Sequence, residues 1–441
     1  MGLNGFVRKY AASGVSRFHM PGHKGVPLHG LEPLDLTEIK GADFLFEADG
    51  VIAEGEGLTS QAFGSAATCW SAEGSSLSIK AALCMLRQHF GRDITVASPR
   101  NCHRAFINGC TLLGIEPEWI YPSSPRTLLC ECAVTPEDVR AALSRGGIDA
   151  VYVTSPDYLG GMADIRGIAA VCREYGALLA VDNAHGAYLH FVGDKHPLDC
   201  GADIVCDSAH KTLPVYTGGG YLHISSDAPA DLRDLAKPAM AMLGSTSPSY
   251  LIMESLALCA EELHGSLPER LRACCERTAE VKSLMRRRGI GDLSSEPMKI
   301  TIAASRFGYD GGELADMMRE SRMECEYSDP DAVVLMLSPY NTAEDFARLE
   351  VFLTGLEQRE AILHPDSAEL FAVRPERVLS LREAMLSPCV NIPCDEAEGR
   401  ICARTAMSCQ PSVAAVMAGE RITGEIIKIL KRYGIFGIDV L

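Results

Sequence analysis

A chain of 441 residues exceeds what one hydrophobic core supports, so two or three domains are expected. Hydrophobic residues make up 47% and charged residues 22%, an ordinary globular balance, and a net charge of −17 argues against nucleic acid or an anionic membrane surface as partner. The 17 cysteines include no CxxC pair, against zinc-ribbon and thioredoxin-type sites; many stand in apolar runs (Cys172, Cys206, Cys259). With no signal-type segment at the start and no 18-residue apolar run, the expectation is a soluble cytoplasmic protein with reduced thiols.

Residues 1–60 read as an irregular N-terminal arm rich in Gly, Pro and His, including His19-Met20-Pro21-Gly22-His23-Lys24-Gly25. His19 and His23 have a metal-ligand spacing, but Pro21 and Gly22 between them disfavour a shared helical face. A rigid loop folded against another element is expected there. Regular periodicity begins with a helix over 58–63 and a strand over 68–72. Glu73-Gly74-Ser75-Ser76 follows, then a helix over 77–89. A strand, then Gly-Ser-Ser, then a helix is the layout of an anion site, where free N–H groups and hydroxyls meet the positive end of the helix dipole; the same serines could equally serve only as an N-cap.

Strand and helix then alternate: strands over 94–97, 118–121, 150–154 and 178–181, and helices over 101–113, 136–143 and 165–175. This is the pattern of a mostly parallel sheet covered on both faces. Asp182 ends the last of these strands, where open α/β sheets place their ligands. His103 follows an earlier strand on the same edge. The next apolar run, Ile204 to Cys206, leads into Ser208, His210 and Lys211, and three glycines precede a second run ending at Ile224. A lysine boxed between two buried strands is either a solvated loop residue or a desolvated nucleophile of the Schiff-base kind. Strand–Asp followed by strand–Ser-x-His-Lys resembles the order in fold-type-I enzymes of pyridoxal phosphate (PLP), which adds weight to the second reading.

Beyond Ile224, helices are predicted over 251–263 and 271–288. Arg286-Arg287-Arg288 before Gly289 suits a helix C-terminus. A smaller α+β unit alternates strands over 299–304 and 332–337 with helices over 313–321 and 343–357. The final segment carries helices near 379–385 and 424–433. The expected domains are 1–60 (arm), 61–265 (PLP-binding large domain), 266–360 (small α+β domain) and 361–441 (C-terminal domain).

The blocks HMPGHKG, RNCHRA (Arg100 to Ala105), TSPDYLGGMADI (Thr154 to Ile165), VDNAHGA, DSAHKTLP and STSPSY occur in this order. In them the chain resembles the bacterial Orn/Lys/Arg decarboxylases, nearly end to end and in the short form without an N-terminal wing domain. The resemblance implies an α/β, fold-type-I (aspartate aminotransferase-like) architecture and PLP-dependent decarboxylation of arginine, lysine or ornithine to the amine and CO2. An aminotransferase or a Cβ–S lyase would use the same cofactor residues. It implies that Lys211 holds the cofactor, that Asp182 pairs with its pyridine nitrogen, and that His103 stacks on the ring with Ala184 beneath. Ser75, Ser76, Ser208 and His210 would contact the phosphate. Ser245 and Thr246 would reach the phosphate of a neighbouring subunit, which makes the expected assembly a homodimer or higher homo-oligomer with shared sites.

Two positions depart from the family's pattern. Asn183 stands where the family has Glu, which is expected to alter pKa tuning. Near the C-terminus Ser408-Cys409-Gln410-Pro411 and Ala418-Gly419-Glu420 replace a Tyr-Pro-Pro-Gly run and Pro-Gly-Glu. Glu420 keeps the acidic residue and is the candidate for the substrate's distal cation, with capping of the following helix as its alternative role. No metal site is expected.

Overall fold

The computed structural model describes residues 2–124, 128–129, 134–364, 367–405 and 414–441. The altered run 408–411 lies outside the described residues. The chain divides into two compact units, residues 1–94, 149–153 and 165–270, and residues 95–148, 154–164 and 271–441. Among the described residues no helix is long and apolar enough to cross a membrane.

The first unit is built on five adjacent strands: β1 (Ala67–Ser71), β2 (Ala150–Thr154), β3 (Leu178–Asp182), β4 (Ile204–Asp207) and β5 (Gly220–Ile224), in the spatial order β1-β5-β4-β3-β2. β3 and β4 pair in parallel, and β5 runs antiparallel to both β4 and β1. Ile204, Val205 and Cys206 are all buried, as a strand covered on both faces requires. Helix α1 (Val51–Phe63) ends at Gly64 in the left-handed conformation, and α2 (Gly74–Phe90) packs on the helix Asp231–Leu243.

The arm is more regular than its composition predicts. A helix over Leu3–Ala11 buries Leu3 and Val7, one turn apart. Helix α1 starts seven residues before the predicted helix, through Gly55 and Gly57, which have poor helix propensity. Tertiary contacts outweigh that cost: the Glu56 carboxylate accepts the Trp70 backbone N–H at 2.8 Å and pairs with Lys237. His19 and His23 do not share a centre. The first meets the Tyr10 hydroxyl at 2.6 Å and the second the Asp35 carboxylate at 3.1 Å.

In the second unit, Val96–Pro99 and Glu118–Ile120 pair in parallel, with the helix Arg104–Leu113 between them in sequence. An antiparallel sheet joins Lys299–Ile302, Val333–Met336 and Tyr327–Ser328 in that order. The helix Ala343–Gly355 opens on a capping box of Thr342 and Asp345. The long helix Leu267–Arg287 ends at Gly289 with φ +74°, as the basic run and glycine predicted. Near the C-terminus Val390–Pro393 pairs with Gly437–Val440, and the helix Gly424–Arg432 buries Ile426 and Leu430 in a core with Cys394, Ile422 and Ile438.

Candidate active site

β3 and β4 end side by side, and the turns that follow carry the chemistry of the first unit. Asp182 is buried at the last position of β3, where its carboxylate accepts the Tyr152 hydroxyl at 3.0 Å and the Ala184 N–H at 3.2 Å. Burial dominates its titration and lifts it to about 6. The Lys211 charge, the Ala184 N–H and the Tyr152 hydroxyl pull it back only in part. Such a carboxylate suits a permanent cationic partner, which would restore the charge that burial suppresses.

Lys211 lies in the short helix α3 (Ala209–Thr212) directly after β4. Its Nζ is 3.0 Å from Nε2 of buried His185, three residues beyond Asp182. The two strand ends thus present an amine and an imidazole in hydrogen-bond contact, with a carboxylate whose titration responds to the amine's charge.

The glycine–serine turn stands at the start of α2. Gly74 has φ +66°, a left-handed conformation that glycine adopts without strain. Gly220 of β5 approaches this turn so closely that a Cβ there would lie 2.8 Å from the Gly74 carbonyl carbon and 3.1 Å from the Ser75 nitrogen. The Ser208 hydroxyl donates to the Ser75 hydroxyl at 2.8 Å, so serines from two distant segments meet at one helix N-terminus. Ser76, beside them, is half-buried. His210 donates from Nδ1 to the Gly219 carbonyl at 2.8 Å, and burial lowers its pKa. Its Nε2 can donate as well only when the ring is protonated, a state that a bound anion favours. Hydroxyls, backbone N–H groups and an imidazole form a donor set that fits a phosphate. With Asp182 and Lys211 in the same unit, the residues present fit PLP.

Behind this front lies a buried cluster that sequence reasoning missed. Asp207, at the end of β4, is fully buried. Its Oδ1 accepts the Asn183 amide at 2.7 Å, and its Oδ2 accepts Nε2–H of His196 at 3.0 Å and of His223 at 3.2 Å. The three ligand-type residues are close enough to hold a metal ion. Their tautomers are set otherwise: Nδ1 of His196 faces the Leu198 N–H, and Nδ1 of His223 faces the Thr68 hydroxyl. Each neutral ring therefore keeps its proton on Nε2 and donates it to Asp207. Burial alone would raise the Asp207 pKa; the two histidines override it and hold the carboxyl well below the usual range. The Asn183 side chain in turn ties the turn after Asp182 to the strand that leads to Lys211.

The other expected residues stand elsewhere. Ser245 and Thr246 are exposed in this chain, and the Ser245 N–H donates to the Glu73 carboxylate at 2.6 Å, at the foot of α2. His103 belongs to the second unit. It caps the helix Arg104–Leu113, its Nδ1 accepting the Ala105 N–H at 3.0 Å, so the neutral ring carries its proton on Nε2. Glu420, in the same unit, is buried with both carboxylate oxygens engaged by Arg100, at 2.6 and 2.9 Å. A substrate cation meeting Glu420 would share its carboxylate with Arg100. The helix Gly424–Arg432 that follows has Thr423 at its N-cap position.

A family model described as Orn/Lys/Arg decarboxylase, major domain, matches residues 3–295. The uncharacterized protein YaaO of Bacillus subtilis is 30% identical, covering 96% of this chain and 92% of its own length. The arginine decarboxylase of the same organism is 28% identical, covering 96% and 91%. Among solved structures, the lysine decarboxylase LdcF of Francisella novicida superposes with a TM-score of 0.80 at 18% identity, over all of this chain and 81% of its own. The cysteine desulfurase of Thermococcus onnurineus shares the fold more distantly, with a TM-score of 0.52 at 15% identity over 69% of this chain and 82% of its own. The architecture is α/β with a mostly parallel main sheet, of the fold-type-I class, and with two-thirds of its length matched the chain belongs to the Orn/Lys/Arg decarboxylase family.

Proposed function

We propose that this PLP-dependent decarboxylase acts on a basic amino acid, arginine, lysine or ornithine, and releases the corresponding amine and CO2. The observation that carries the reading is the pairing of strand ends in a chain of this family: buried Asp182 closes β3, and Lys211 follows the neighbouring β4. When bound, PLP supplies an electron sink for the pair left at Cα as the carboxylate departs. Lys211 is the residue that holds the cofactor, and Asp182 holds a proton at the pyridine nitrogen, with Ala184 assigned beneath the ring. Ser75, Ser76, Ser208 and His210 receive the phosphate. The family's pattern assigns His103 to the ring face. His185, in contact with Lys211, keeps a proton within reach of the lysine nitrogen, from which it can return to Cα.

The purified protein should absorb as a lysine-bound PLP enzyme and, after borohydride reduction, carry the cofactor on the peptide containing Lys211. Label on Lys195 or Lys237 would overturn the assignment. Amine and CO2 release from arginine, lysine and ornithine tests the reaction; formation of a keto acid in their place would make the enzyme an aminotransferase. The free cysteines among the described residues suit a reducing, cytoplasmic setting.

The same reading makes the enzyme a homodimer or higher homo-oligomer with shared sites. Ser245 and Thr246 support it: both are exposed, and the Ser245 N–H is anchored to Glu73 beside the phosphate-type turn. Mixing Lys211→Ala protein with Thr246→Lys protein should restore part of the activity, because one composite site in the heterodimer is then intact. Full activity in a species that sediments as a monomer would sink the shared site.

A further inference from the structure

We infer that Glu420 is a positioning residue: through a two-pronged ion pair with Arg100 it fixes the turn Arg100–Asn101–Cys102–His103, and it does not receive the substrate's distal cation. The inference rests on the proposed decarboxylation for its kinetic consequence and on the second unit alone for its geometry. Oε1 of Glu420 accepts Nη1 of Arg100 at 2.6 Å, while Oε2 accepts Nη2 at 2.9 Å and the Met417 N–H at 2.7 Å. Nη1 of Arg100 also donates to the Tyr121 hydroxyl and Nη2 to the Ala414 carbonyl, both at 3.3 Å, and its guanidinium lies over the rings of Trp119 and Tyr121. Side-chain exposure is 5% for Arg100 and 3% for Glu420.

Each charge is therefore matched. A substrate ammonium or guanidinium at Glu420 would bring a second cation against Arg100, which Coulomb repulsion opposes. The pair is also needed where it stands. The turn buries Arg100 and Asn101 together, and neither amide atom of Asn101 finds a hydrogen-bond partner among the described residues. Burying unpartnered polar atoms opposes this conformation. A planar fork-to-fork ion pair holds it in one geometry. Cys102 and His103 complete the turn, and His103 begins the next helix as its N-cap. The orientation of His103 thus follows from the anchoring of Arg100, three residues earlier.

The test compares lysine with norleucine, and arginine with citrulline, on the holoenzyme and on its Glu420→Gln and Arg100→Lys variants. All are assayed at a temperature where circular dichroism shows them folded. Positioning predicts that kcat falls by about 10- to 100-fold for charged and neutral members of each pair alike, the range a misplacement of about 1 Å produces. The charged-to-neutral ratio of kcat/KM then stays within about twofold of the unaltered enzyme, Arg100→Lys reproduces the loss, and the double variant is no worse than either single one. A ratio that collapses in Glu420→Gln while Arg100→Lys keeps it would overturn the proposal in favour of a cation receptor. Unchanged kcat in both folded variants would overturn it in favour of a purely structural pair. Tryptophan fluorescence supplies a readout independent of turnover: Glu420→Gln, which keeps the Arg100 side chain that lies over Trp119, should still shift the emission by releasing its guanidinium, even if none of these amino acids proves to be a substrate. An unshifted emission in Glu420→Gln would break the proposed coupling.

Discussion

Asp182→Ala should lower kcat by about 100-fold or more while cofactor is still bound, because the lost group acts on charge that develops in the reaction rather than on the bound ground state. The carboxylate is held by Tyr152 and Ala184 and cannot swing away, so its charge is spent at one place. Burial, which lifts its pKa to about 6, makes the same group a liability to the protein without cofactor. Its folded pKa lies above the unfolded one. The folded state therefore binds the extra proton between about pH 4 and 6, and stability is lost as pH rises through that window. A rise of about 2 pKa units corresponds to at most about 3 kcal/mol. Cofactor-free Asp182→Asn should consequently melt higher than the unaltered protein at pH 8, with the gap closing toward pH 4, while its activity is lost. An Asp182→Ala enzyme with near-normal turnover, or an Asp182→Asn protein less stable than the original at pH 8, would show that another residue carries the charge.

Asp182 and Lys211 were legible because each signal is local: an apolar run ending in Asp, and Ser-x-His-Lys between two apolar runs. Ser75 was legible for the same reason, as a Gly-Ser-Ser break before a helical period, although its contact with Ser208 spans 133 residues and could not be read. The helix Asp231–Leu243 escaped detection because Pro238 stands inside it, and Pro in a helix interior normally argues against one. Asp207 lay in the most informative stretch of the chain, yet its meaning depends on His196, His223 and Asn183, which reach it from separate segments. Glu420 shows the limit most plainly. Its ion pair with Arg100 joins residues 320 apart in sequence, and no local pattern announces such a partner.

Asp207→Ala should destabilise the first unit by about 3–5 kcal/mol at pH 7, the cost of breaking a buried charged network from one side. Three N–H donors, from His196, His223 and Asn183, would lose their acceptor in a place with no access to water. Each orphan costs about 1–3 kcal/mol, partly relieved by relaxation. The pH dependence has a definite sign. Asp207 has a folded pKa below its unfolded value, so its stabilisation is present above about pH 4 and is lost as the pH falls below that. His223, whose pKa burial lowers despite Asp207, adds an earlier loss: unfolded, it takes up a proton below about pH 6.5, which the folded state resists. The unaltered protein should therefore begin to lose stability just below pH 6.5 and do so more steeply below pH 4. The gap to Asp207→Ala should narrow over the second range. Thermal melting followed by circular dichroism from pH 3.5 to 8 checks both points, with a drop of about 10 °C expected at pH 7. A shift of less than about 3 °C at pH 7 would mean that the histidines find other acceptors. In Asp207→Ala the Asn183 amide no longer ties the turn after Asp182 to the strand that leads to Lys211, so cofactor retention should weaken as well, measured as PLP lost on dialysis.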